Sequence, residues 1–178
     1  MHFVIVPGIN GSDEKHWQSI WQAEWGPSAT RIAPASWDDP DLDDWCAALD
    51  RAVVPGSVLV AHSLGCLTAA TWLTRSARPG VLGLFLVAPP DNTRPDFPPE
   101  AATFTGLPLS PVDVPGLVVY GEDDPYCTPD ASIGLATAWR LPHISAGHTG
   151  HVNSASGIGG WDFGRALLTA FTAGIGNR

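Results

Sequence analysis

With 178 residues, of which 44% are hydrophobic and 15% charged, the chain can bury a core and is no disordered segment. Eighteen acidic residues against nine basic ones give a net charge of −9, which excludes the basic footprint that nucleic acid or an anionic membrane needs. The three cysteines, Cys46, Cys66 and Cys127, are odd in number and lack CxxC spacing, so they suit a reducing compartment and argue against a disulfide scaffold.

Residues 3–6 form a continuous apolar run, as expected of a parallel strand covered on both faces. The run is too short for a signal peptide, lacks a basic lead-in and meets Pro7-Gly8 at once. No stretch approaches the about 18 apolar residues of a membrane span, so the expected location is the cytoplasm. A helix is predicted over residues 14–25, with Ser12 or Asp13 as its N-cap. Trp17, Trp21 and Trp25 recur every fourth residue and share one face, which is expected to pack on the sheet. Residues 30–33 read as a short strand. Asp39-Pro40 supplies a cap and a first-turn proline for a helix running to Val53. The nearby Asp38, Asp39, Asp41, Asp43 and Asp44 favour the positive end of that helix rather than a metal.

Residues 58–61 are a strand leading at once into helical register over 68–75, and 81–87 is a further buried strand. The proline-rich connection over 89–115 has little periodicity, with a short helix expected near 99–104. So long a connection serves either as a cleft wall or as a passive crossover. Residues 117–120 read as a strand, and Thr128-Pro129 starts a helix through Trp139. Residues 140–145 suit only an edge strand because of Pro142, and 161–173 is helical by period. This alternation predicts one domain over 1–178, of the α/β class, with a mostly parallel sheet of about six strands between helical layers.

In such a sheet ligands lie beyond the carboxyl ends of the strands, and three clusters fall there. Ala61-His62-Ser63-Leu64-Gly65 follows a strand and opens a helix, which suits a strained turn presenting the Ser63 hydroxyl. Alanine stands at 61 where glycine is usual, and a serine at such a junction can also be a simple N-cap. Gly121-Glu122-Asp123-Asp124-Pro125 follows another strand and offers an acid. Asp124, made extended by the following proline, leads there, with Asp123 and then Glu122 as rivals. Gly147-His148-Thr149-Gly150-His151 supplies two histidines, each after a glycine, between which the pattern does not choose. The order Ser, Asp, His is that of α/β-hydrolase triads. Gly8-Ile9-Asn10-Gly11 follows the first strand, and the backbone N–H groups of Ile9 and Leu64 are the expected oxyanion donors. Cys66 is expected to be a buried packing residue.

Taken together, Val6-Pro7-Gly8 with His16-Trp17-Gln18, Ala61-His62-Ser63-Leu64-Gly65-Cys66, Val87-Ala88-Pro89, Asp124-Pro125-Tyr126-Cys127 and Gly150-His151-Val152-Asn153 with Gly159 through Trp161 resemble one group. That group is the small α/β-hydrolase-fold serine hydrolases related to retinoblastoma-binding protein nine. The resemblance spans residues 3–173 and implies a compact three-layer sandwich without a large lid domain, no cofactor or metal, and serine hydrolase chemistry. It puts the base on His151, with Ser63 as nucleophile and Asp124 as acid. Gly121 departs from the serine common in the group. The resemblance implies no substrate; the triad chemistry itself leads to the expectation of a small-molecule or peptide-like ester, thioester or activated amide. Trp17, Trp37, Phe104, Tyr126 and Trp161 are candidates to line its pocket. The rival functions are a protein-binding module retaining an inherited triad, and acyl transfer through the same groups.

Overall fold

The apolar runs of the sequence become the strands of one sheet. The computed structural model describes residues 1–75 and 80–176. The strands are β1 (His2–Val6), β2 (Ala29–Arg31), β3 (Ser57–His62), β4 (Val81–Val87), β5 (Gly116–Tyr120) and β6 (His143–Ser145). Their order in space is β2-β1-β3-β4-β5-β6, and every pairing is parallel. β3 is buried along its whole length, which explains its lack of polar alternation.

Side chains of one strand leave the sheet in alternate directions, so each central strand feeds two cores. Leu59 and Ala61 of β3, Leu84 and Leu86 of β4, and Val118 of β5 join one apolar cluster. Val58, Val60, Phe85, Val87 and Val119 join the other. The first is covered by helices α2 (Leu42–Ala52), α3 (Leu64–Arg75) and α4 (Pro129–Trp139). The second is covered by α1 (Trp17–Trp25) and α5 (Asp162–Ile175). Helix, sheet and helix make the expected three layers.

The tryptophan stripe packs as expected. Trp17 and Trp21 are buried, and their rings lie 5.2 and 6.0 Å from that of Trp161 at the start of α5. The Arg165 guanidinium closes the stripe, 5.3 Å above Trp21 and 4.7 Å above Trp25.

Three helix starts differ from expectation. α3 begins at Leu64, four residues before Thr68. α1 begins at Trp17 rather than Glu14, capped by His16, whose Nδ1 accepts the Gln18 N–H. Ser12 and Asp13 are engaged elsewhere: the Ser12 hydroxyl donates to Gln18 Oε1, and Asp13 Oδ1 accepts from Lys15 N–H and the Ser154 hydroxyl. α2 is capped by Asp41, which accepts the Asp44 N–H, and not by Asp39. The Asp38 and Asp39 N–H groups are held instead by Ser36 Oγ, a local turn that competes with the helix. The acidic cluster thus serves the α2 terminus, with Asp43 also paired to Arg75 at 2.6 Å.

Candidate active site

The three candidate groups meet beyond the carboxyl ends of β3, β5 and β6. Ser63 sits between β3 and α3 with φ at 53°, a left-handed conformation rare for a residue with a side chain. Its N–H donates to the Val87 carbonyl at 2.9 Å, which pins the turn to β4. Asp124 lies four residues past β5, and one of its oxygens accepts the Tyr126 N–H at 2.9 Å. Its other oxygen is 2.8 Å from His151 Nδ1, and His151 Nε2 is 2.8 Å from Ser63 Oγ. A carboxylate only accepts, so Nδ1 carries the hydrogen and Nε2 is free to accept from the serine hydroxyl. All three residues are buried.

Ser63 and His151 stand at the floor of a cleft of about 650 Å³, within the range of small-molecule sites. Ile9 and Leu64 line the same cleft, and among the described residues neither N–H has a protein acceptor. Gly8 makes this approach possible, because a Cβ there would lie 2.7 Å from that of Ser63.

Residues 3–170 match the family model described as serine hydrolase. The chain belongs to the serine hydrolase family. A protein of Pectobacterium atrosepticum described as a YdeN-like hydrolase is 30% identical, with a TM-score of 0.86 over 98% of this chain and 91% of its own. The ydeN gene product of Bacillus subtilis is 21% identical, with a TM-score of 0.79 over 97% and 98% of the two chains. The type II thioesterase BorB of the borrelidin biosynthetic cluster shares the fold at 16% identity and a TM-score of 0.68, over 96% and 91%. The search of curated proteins gave no match. The hydrolase therefore has the α/β-hydrolase fold and is of the small serine hydrolase type that its motifs resemble.

The rival residues at each position have other partners. Asp123 accepts the Gly150 N–H at 2.7 Å, and Glu122 accepts the Ser145 hydroxyl at 2.7 Å. His148 is exposed, 3.7 Å from Glu122, and does not line the cleft. Cys66 is buried, and its thiol is pushed up by burial, so it is no nucleophile. Of the aromatic residues expected to line the pocket, only Tyr126 does so. Trp17, Phe104 and Trp161 are core residues, and Trp37 packs on the core beside Trp45.

The connection over 89–115 does line the cleft, through Pro90, Asp91, Arg94, Phe97 and Ala101 among others. It is tied to the acid loop, since the Arg94 guanidinium donates to the Pro125 carbonyl at 2.6 Å and the Asp91 N–H to that of Tyr126 at 3.1 Å. The short helix expected within it is the 3-10 turn Pro99–Phe104.

Sequence reasoning missed two buried histidines of the cleft, His16 and His62. Their rings lie 4.7 Å apart, and His62 lies 4.9 Å from His151. Burial holds His16 down to about 4, and desolvation with the neighbouring histidines holds His62 well below its ordinary value, so both are neutral. The available signal was His62 itself, a polar residue directly after the apolar run over 58–61.

Proposed function

We propose that this hydrolase cleaves a carboxylic ester, thioester or activated amide, with Ser63 as nucleophile, His151 as general base and Asp124 as the acid orienting it. The observation that carries the reading is the unbroken hydrogen-bond chain from Asp124 through both nitrogens of His151 to Ser63 Oγ. Ser63 Oγ bonds to the acyl carbon as its proton passes to His151 Nε2, and Asp124 stabilises the resulting imidazolium. The N–H groups of Ile9 and Leu64 receive the oxyanion, each such donor being worth about 3 kcal/mol in the transition state. The intermediate collapses, and His151 protonates the departing alcohol, thiol or amine. Water, giving its proton to His151, then attacks the acyl-enzyme and releases the acid with Ser63 restored.

An ester or thioester agrees with the fold neighbours, which include the type II thioesterase above and Est1E of Butyrivibrio proteoclasticus, determined with ferulic acid bound. A small-molecule or peptide-like substrate suits a cleft of about 650 Å³. The cytoplasm suits three cysteines that are odd in number and lack CxxC spacing.

The test is covalent labelling of pure protein by a fluorophosphonate probe, which reacts only with an activated serine. Wild type is expected to label, and Ser63→Ala and His151→Ala to lose it. A natively folded wild type that fails to label would sink the reading and favour the binding module.

A further inference from the structure

The loop carrying His151 is held in an unfavourable shape. Its neighbours Gly150 and Val152 both have left-handed backbone, at φ 53° and 50°, and a β-branched residue adopts that region only when its surroundings impose it. Ring N–H groups hold two successive carbonyls of the loop. Trp17 Nε1 donates to the Val152 carbonyl at 2.9 Å, and His62 Nε2 lies 2.8 Å from the His151 carbonyl. Trp17 belongs to the core between α1 and α5, so its bond is incidental to a packing role. His62 is different, because it is bonded covalently to Ser63.

We propose that His62 is a positioning residue, whose imidazole ties the strand end carrying Ser63 to the backbone of His151 and thereby fixes their approach. The proposal rests on the reading of Ser63 and His151 as nucleophile and base. The geometry closes a ring: Ser63 Oγ to His151 Nε2, through the His151 backbone to its carbonyl, across to His62 Nε2, and back along the chain to Ser63. Within such a ring the serine cannot drift from the imidazole unless the strut breaks. A carbonyl oxygen only accepts, so Nε2 of His62 must carry the hydrogen. Burial keeps the ring neutral, and it is wedged between His16 and His151, at 4.7 and 4.9 Å. A flat, stiff donor spans the gap at less entropic cost than a flexible one.

Steady-state hydrolysis of p-nitrophenyl butyrate by His62→Leu and His62→Gln tests this. Leucine removes the donor, and kcat is expected to fall about tenfold to a hundredfold, as for a displaced catalytic pair, with KM within about twofold. Glutamine offers an amide N–H to the same carbonyl and is expected to recover most of kcat. A leucine variant with wild-type kcat, or equal losses in both variants, would overturn the proposal. Should the leucine variant not fold, nitrogen-15 NMR of the wild-type imidazoles decides. His62 must be a neutral Nε2–H tautomer, and an Nδ1–H tautomer removes the strut. Wild type that neither labels nor turns over would sink the hydrolase reading itself. Active wild type indifferent to His62 sinks only this inference.

Discussion

Ser63 holds its left-handed backbone without the relief of a glycine, at a cost on the order of 1–3 kcal/mol. The cost is sustained because its N–H and carbonyl are both engaged, with Val87 and with the Cys66 N–H, each at 2.9 Å. Asp124 is fixed in the same manner, with one oxygen on the Tyr126 N–H and the other on His151. Asparagine at 124 keeps the shape and loses the charge that selects the Nδ1–H tautomer. Asp124→Asn is therefore expected to lower kcat by about 10³–10⁴-fold, with little change in KM or Tm. Kinetics on a chromogenic ester beside a thermal melt measure this. Near wild-type turnover would remove Asp124 from the triad.

Between elements, the site depends on how closely two loops approach. The loop after β5 carries Asp124 and the loop after β6 carries His151, and Gly121 meets the Gly150 carbonyl so closely that any Cβ would collide with it. Serine, common at this position in the related group, does not fit here unless Gly150 moves. Gly121→Ala is expected to push that carbonyl and with it His151, lowering kcat about tenfold or more and stability by about 1–3 kcal/mol. Unchanged kinetics and melting would show that the loops separate freely. These loops also mark the limit of what sequence reveals. Strands such as β4 were legible because residues buried on both faces are apolar throughout, and the order of Ser63, Asp124 and His151 was legible because each follows a strand. The starts of α1 and α2 were not, since Ser12 and Ser36 made side-chain bonds that only the folded neighbourhood decides. Nor was the stack of His16, His62 and His151, which joins three segments far apart in the chain.

For the whole molecule, those histidines make stability depend on pH in a way that its acidic surface does not reveal. In the unfolded chain His16 titrates near 6.5, whereas in the folded chain burial holds it down to about 4. Above about pH 6.5 neither state binds a proton there and His16 has no effect on the balance. As pH falls below that value the unfolded state takes up a proton that the folded state refuses, so stability declines until His16 itself protonates near 4. By about pH 5 this one residue removes on the order of 2 kcal/mol, and His62, lowered for the same reason, adds to the loss. His16→Asn keeps a side-chain oxygen to accept the Gln18 N–H at the start of α1 but does not titrate. Urea unfolding at about pH 7 and about pH 5 is expected to show a fall in wild-type stability that the asparagine variant reduces by about 2 kcal/mol. Equal falls in the two proteins would mean that His16 takes up its proton as readily in the fold as outside it. The cleft wall that it forms would then be open to water.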